Sequence, residues 1–140
     1  MKYMNITQYA NPDLGKLLLR VALALVFIAH GLDKIEGFGV SPGVVEWFGT
    51  LAFPVSLAPA FFTYLVTAVE LMGGLALLLG IYAEIAALFL AVDMLFAIYL
   101  VKLPGAFMGG YEFELTLLLV ALAVFFLGAG KYTVQKYLPR

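Results

Sequence analysis

A membrane-length apolar helix that still carries charged residues limits what this chain can fold into. Residues 17–34 read LLLRVALALVFIAHGLDK, with Arg20 near one end and His30, Asp33 and Lys34 near the other. A charge at the middle of a helix in hydrocarbon costs about 2.5–3.5 kcal/mol on insertion scales. These side chains therefore need a protected place, and the segment predicts partner helices that close around them.

The composition indicates an integral membrane protein. Apolar residues make up 64% of the 140 positions and charged residues 12%, whereas soluble domains average about 25% charged residues. Four apolar segments have lengths in the range of about 17–25 residues that crosses a bilayer. The predicted helices are residues 12–35, 57–79, 83–101 and 111–127. We therefore predict an all-α transmembrane four-helix bundle that forms one domain over residues 1–140.

Proline and glycine place the ends of the helices. The sequence Asn-Pro-Asp at 11–13 predicts the start of the first helix, with asparagine as the cap and proline in the first turn. Between the first two spans, residues 41–52 predict a short interfacial helix with Trp47 at headgroup level. Residues 1–13 are polar and aromatic, and we expect them at the membrane interface.

Several kinds of chemistry are excluded or disfavoured by residues that the chain lacks. It has no cysteine and a single histidine, so one copy offers no thiolate ligands for iron–sulfur clusters and no bis-histidine haem site. We predict no metal site and no covalently bound cofactor. The formal net charge is −1, and nothing in it indicates a nucleic-acid partner.

The distribution of basic residues predicts the orientation in the membrane. One side carries Lys2, Lys16, Lys131, Lys136 and Arg140, and the other carries Lys34 and Lys102. The positive-inside rule then places both termini of a multi-pass protein in the cytoplasm. Lys102 and Glu84 are expected to be interface anchors.

Three ionisable residues from separate spans are predicted to meet near the middle of the membrane. At a rise of about 1.5 Å per residue, Arg20 lies about 9 Å from the cytoplasmic edge, and Glu70 and Asp93 lie about 14–15 Å from it. An extended arginine spans the gap, so we predict a buried ion pair of Arg20 with these acids. Two interpretations stay open: a structural pair that fixes helix register, or a catalytic, proton-accepting site beside a redox molecule.

A second polar group is predicted at the outer end of the bundle. His30 and Lys34 lie one turn apart, and Tyr111, Glu112 and Glu114 begin the last helix. Glu112 and Glu114 are about 200° apart on a helix, so at most one points inward. We predict that His30, Lys34, Tyr111 and Glu112 hold a carbonyl-bearing head group, with His30 and Glu112 as catalytic proton carriers. Headgroup-level hydrogen bonds are the alternative for Lys34 and Glu114.

These motifs together resemble the DoxX family of membrane proteins. The resemblance starts in LLLRVALALVFIAHGLDKI and continues through ELMGG at 70–74, PGAF at 104–107, GGYE at 109–112 and LGAGKY at 127–132. It covers nearly the whole chain in order. By position, the family's polar pattern falls on Arg20, His30, Lys34, Glu70, Tyr111 and Glu112. Glu84 departs from the pattern, because the corresponding turn usually carries a basic residue.

The resemblance implies a four-helix membrane protein of prokaryotes, located in the inner membrane and linked to redox metabolism. A related branch, DoxD, is a membrane subunit of a thiosulfate:quinone oxidoreductase. We therefore expect a subunit of a respiratory or redox system that contacts quinone and is not catalytic without a redox partner subunit. Two alternatives stay open: a non-catalytic anchor or assembly subunit, and a small proton-coupled carrier that uses Glu70 and Asp93. A homo-oligomer stays open as well.

Overall fold

The computed structural model describes residues 10–138, and the expected interfacial position of residues 1–9 lies outside them. The elements in chain order are α1 (Pro12–Asp33), β1 (Ile35–Glu36), β2 (Gly39–Val40), α2 (Pro42–Gly49), α3 (Pro59–Leu79), α4 (Ala83–Ala97) and α5 (Glu112–Leu127). The four spans are α1, α3, α4 with its extension to Lys102, and α5 with the turn from Phe107. The predicted all-α membrane bundle, with a short helix between its first two spans, is confirmed.

Each predicted span differs from the observed one by a few residues at one end, and local backbone geometry explains the differences in the first two. The first helix ends at Asp33 and not at Ile35, because β1 and β2 form an antiparallel hairpin that turns at Gly37 with φ +62°. The second span begins at Pro59 and not at residue 57, since proline is well suited to the first helical position. We call the end of the bundle that carries this hairpin the hairpin end. The opposite end, where the chain enters α1 and leaves α5, is the terminal end.

Glycines set the register between α1 and α3. A Cβ atom on Gly31 would lie 2.6 Å from Cγ of Leu71, and a Cβ on Gly74 would lie 2.8 Å from Cγ1 of Ile28. The two helices therefore pack closely, as small residues allow in membranes. The same register makes α1 end beside the middle of α3. The hairpin-end half of α3 lies beyond α1, and α2 packs on α3.

The side of α3 that carries Thr63, Thr67 and Glu70 is buried. Thr63 is 0%, Thr67 5% and Glu70 4% exposed. Each threonine hydroxyl donates to the carbonyl one turn earlier, to Pro59 at 2.7 Å and to Thr63 at 2.8 Å. The two threonine hydroxyls thus find their acceptors within α3. The Glu70 carboxylate has no such partner in its own helix and needs a donor from another one.

The segment after α5 folds back across the terminal end and ties the helices together. Backbone N–H groups donate from Val134 to the Leu79 carbonyl at 2.8 Å and from Lys131 to Asp13 Oδ1 at 3.2 Å. Glu84 Oε1 accepts from Ala129 N at 3.0 Å. Glu84 therefore does more than anchor the helix at the interface as expected, since it holds the returning segment.

Candidate functional site

A cavity of about 680 Å³ lies between the spans in the hairpin-end half of the bundle. Most of its lining is aromatic and aliphatic, and α2 with the turn after it contributes Trp47, Phe48, Leu51, Pro54 and Val55. Six ionisable side chains also reach it: His30, Lys34, Glu70, Asp93, Lys102 and Glu114. The register of α1 against α3 explains the space, because α1 ends beside the middle of α3.

Lys34 and Glu70 form the shortest ion pair in the described part of the chain. Lys34 Nζ donates to Glu70 Oε2 at 2.6 Å and to Oε1 at 2.9 Å. The same ammonium group donates to the backbone carbonyl of His30 at 3.2 Å. The side chains are 17% and 6% exposed. Because both carboxylate oxygens are engaged, the pair fixes α1 to α3 at the wall of the cavity.

Asp93 lies on α4 at the same wall. Its side chain lines the cavity together with those of Glu70 and Lys34. Its Oδ2 atom is buried and has no hydrogen-bond partner among residues 10–138. Sequence reasoning thus placed Glu70 and Asp93 together, and the structure brings them together.

The structure does not bring Arg20 to these acids, so the predicted ion pair of Arg20 with Glu70 and Asp93 is wrong. Arg20 is 0% exposed, and its guanidinium donates to four backbone carbonyls at the terminal end. The distances are 2.8 Å to Leu77, Ala129 and Tyr132 and 3.3 Å to Leu78. The last carbonyls of a helix have no partners within it. In the observed register, the carbonyls of Leu77 and Leu78 at the end of α3 lie beside Arg20. Glu70 and Asp93 lie further towards the hairpin end, at the cavity.

His30 lies where the sequence places it, on the cavity. It is on the last turn of α1, and its ring centroid is 6.4 Å from that of Phe113 at an angle of 37°. His30 is an exposed residue, and its backbone carbonyl accepts from Lys34. The catalytic role of His30 stays a prediction.

Glu114, not Glu112, is the glutamate of the last span that reaches the cavity. Glu112 is exposed, and its Oε1 accepts from the N–H of Gly109 at 3.0 Å. The predicted inward position of Glu112 is therefore wrong, because the first residue of α5 turns back to the loop before it. The helical phase then carries Glu114 inward, as the spacing of two residues requires.

Tyr111 also lies outside the cavity lining, contrary to its predicted place beside the head group. Its ring packs edge-on against Phe107 at 5.5 Å between centroids, within the turn that precedes α5. The aromatic residue that this part of the chain gives to the cavity is Phe113. Tyr111 precedes the regular part of the helix, so its direction could not be derived from helical phase.

Sequence reasoning missed a second ion pair in the lining. Lys102 Nζ lies 3.0 Å from Glu114 Oε1, with side-chain exposures of 37% and 13%. Glu114 Oε2 is buried and has no partner among the described residues. The signal was present in the sequence, since the two opposite charges flank a single turn that contains Pro104 and Gly105.

Comparisons with known proteins match most of the chain. The DoxX family model matches residues 15–103. A Bacillus subtilis protein named "Putative oxidoreductase CatD" is 36% identical over 110 residues, which cover 79% of this chain and 76% of that protein. An uncharacterized membrane protein of Mycobacterium tuberculosis is 30% identical over 161 residues, covering 98% of this chain and 95% of that protein.

A further relative is the inner membrane protein YqjF of Escherichia coli, 34% identical over 79 residues that cover 56% of this chain and 55% of that protein. No solved structure gives a significant match. The range of the family model includes Arg20, Lys34, Glu70 and Asp93, and it ends before Glu114.

Proposed function

This chain belongs to the DoxX family, and on that premise we propose that it is a subunit of a membrane redox system that binds a quinone in the cavity. Its place is the inner membrane of a prokaryotic cell, with both termini in the cytoplasm. The hairpin end then faces the outer side, in keeping with the bias of lysine and arginine towards the termini.

The cavity is the observation that carries this proposal. Its volume of about 680 Å³ falls in the range of about 300–1,000 Å³ that is typical of small-molecule sites. The lining is mostly apolar, with a few convergent polar groups, and this combination suits a flat ring with ring oxygens and a hydrocarbon tail. The residues present therefore fit a quinone.

The polar residues have different tasks in this proposal. His30 is the group that hydrogen-bonds a ring oxygen of the ligand, because it lines the cavity and carries an imidazole ring. Asp93 is ionised in this proposal and accepts a proton, since its Oδ2 lacks a partner among residues 10–138. Glu70 positions Lys34 and takes no further part, because both of its oxygens bind that ammonium group. When bound, the quinone supplies two-electron redox chemistry.

A partner subunit is part of the proposal. One relative carries the name oxidoreductase, and this chain contains no cysteine and a single histidine. We therefore assign the electron-carrying groups to another subunit, membrane-bound or membrane-associated. The present chain contributes the lipid-embedded binding site and is not catalytic alone.

Filling the cavity should weaken quinone binding. Ala97 lines the cavity at the end of α4, and Ala97→Phe places a ring in the ligand's space. We expect at least a tenfold loss of affinity for decylubiquinone, or about 1.4 kcal/mol. Trp47 is the one tryptophan of the chain and lines the cavity, so quenching of its fluorescence measures binding in detergent.

Ala68→Phe is the matched control, because Ala68 is an exposed residue of α3 outside the cavity. The proposal requires normal quenching in this variant and weak quenching in Ala97→Phe. Equal, non-saturable quenching in both variants and in the wild type would contradict a quinone site. A partner protein that co-purifies with all three forms would then favour a non-catalytic assembly subunit.

A further inference from the structure

We propose that Asp93 and Glu114 select the reduced, hydroxyl-bearing form of the ligand, the hydroquinone, over the quinone. This inference rests on the proposed function, because it takes the cavity as the site of a quinone head group. Glu114 thereby takes a specificity role in place of the headgroup-level hydrogen bonds expected from the sequence. In these hydrogen bonds the ligand hydroxyl groups donate and the protein carboxylates accept.

The strongest donor at the deep wall of the cavity is already used. The Lys34 ammonium group has three hydrogens, and it contacts three acceptors: the two oxygens of Glu70 and the His30 carbonyl. A quinone carbonyl that approached Lys34 would have to displace one of these contacts. This ammonium group therefore offers little to a ligand that carries only acceptors.

Among residues 10–138, the buried side-chain atoms that lack a partner are two carboxylate oxygens at the cavity, and an ionised carboxylate only accepts hydrogen bonds. Asp93 Oδ2 and Glu114 Oε2 are buried without a partner among residues 10–138, and both side chains line the cavity. A buried polar group without a hydrogen bond costs about 1–3 kcal/mol, and more when it is charged. A ligand that brings hydroxyl groups relieves this cost, whereas a ligand that brings carbonyl groups does not.

The two acceptors lie at different depths. Asp93 is near the middle of the third span, and Glu114 pairs with Lys102 at the hairpin end of the same span. A para-hydroquinone carries its two hydroxyl groups at opposite ends of the ring. We place one hydroxyl towards Asp93 and the other towards Glu114, which both line the cavity, and the oxidised ring has no hydrogen for either.

Binding of matched ligands to the wild-type protein tests this inference. We expect isothermal titration calorimetry under anaerobic, reducing conditions to give decylubiquinol an affinity at least tenfold higher than that of decylubiquinone under oxidising conditions. The dimethyl ether of decylubiquinol keeps the ring and the tail but lacks both hydroxyl hydrogens. It should bind at least tenfold more weakly than decylubiquinol.

Variants assign the preference to the two carboxylates. Asp93→Asn replaces an acceptor with a group that can donate, so it should weaken decylubiquinol binding about tenfold and leave decylubiquinone binding equal or tighter. Glu114→Gln should shift the preference in the same direction. Glu112→Gln, on the same helix but outside the cavity, should change neither affinity.

The possible failures are distinguishable. If the wild type binds both redox forms within twofold, binds the quinone more tightly, or binds the ether as well as the hydroquinone, this inference is overturned while the quinone site stands. If no form binds saturably, the proposed function fails and the inference fails with it. The wild-type comparison decides the matter even if Asp93→Asn does not fold.

Discussion

Arg20→Leu is expected to lower the free energy of unfolding by about 3 kcal/mol, because it removes four hydrogen bonds from a fully buried guanidinium to part-buried and buried backbone carbonyls. The guanidinium joins the end of α3, through Leu77 and Leu78, to the returning segment, through Ala129 and Tyr132. No neutral side chain supplies donors in this arrangement. The measurement is chemical unfolding in mixed micelles, followed by circular dichroism and gel filtration.

Two control variants separate the hydrogen bonds from the positive charge. Arg20→Lys keeps the charge but cannot copy the planar fork of donors, so we expect an intermediate loss of stability. Lys136→Leu removes an exposed charge at the same end of the protein and should change stability by no more than about 0.5 kcal/mol. Equal stability of Arg20→Leu and the wild type would contradict this role of Arg20.

Arg20 is also expected to be separate from ligand binding. It lies at the terminal end and is not part of the cavity lining, which is in the opposite half of the bundle. The folded fraction of Arg20→Lys should therefore bind decylubiquinone with the affinity of the wild type. If Arg20 were paired with Glu70 and Asp93 instead, Arg20→Lys would also change the affinity for decylubiquinone.

Lys34→Met is expected to destabilise the protein by about 3–5 kcal/mol, because it leaves the Glu70 carboxylate buried without its partner. Glu70 is 4% exposed, and both of its oxygens are engaged by the Lys34 ammonium group. The double variant Lys34→Met with Glu70→Met removes both charges and should recover most of the loss. A double-mutant cycle of unfolding free energies measures the coupling, which we expect to be at least about 3 kcal/mol.

The second ion pair of the cavity is the matched control. Lys102 is 37% exposed and Glu114 13% exposed, against 17% and 6% for the first pair. Solvent screening should therefore limit the effect of Lys102→Met to about 1 kcal/mol. Equal losses of stability in Lys34→Met and Lys102→Met would contradict the larger contribution that we assign to the more buried pair.

The number of spans could be predicted from the sequence because it depends on local features. Apolar segments of sufficient length, punctuated by proline and glycine, determine which stretches cross the membrane. The cap at Asn11 likewise depends on neighbouring residues, and its side chain accepts from Leu14 N at 3.1 Å. These features need no knowledge of how one helix sits against another.

The partners of the charged residues could not be predicted because they depend on helix register. Counting depth from helix ends treats all spans as starting at the same level, whereas Gly31 against Leu71 offsets α1 from α3. With that offset, Lys34 and not Arg20 reaches Glu70. Arg20 binds backbone carbonyls. Every residue carries such a group, so the sequence does not indicate which carbonyls an arginine will bind.

The inward glutamate of the last span illustrates an intermediate case. Helical phase correctly limited the inward positions to one of two glutamates, and Glu114 is that residue. Phase alone could not choose between them, because Glu112 is the first residue of α5 and its side chain folds back to Gly109. The ion pair of Glu114 with Lys102 across the turn between the last two spans would have identified Glu114 as the inward residue.

Photolabelling with an azido-quinone, followed by mass spectrometry of the labelled peptides, tests the proposed binding site most directly. We expect the label on buried residues that line the cavity, such as Phe27, Met94 and Leu117, and we expect excess decylubiquinone to suppress it. Label confined to exposed lipid-facing residues such as Leu18 and Leu25, and unaffected by excess decylubiquinone, would contradict a quinone site in this cavity.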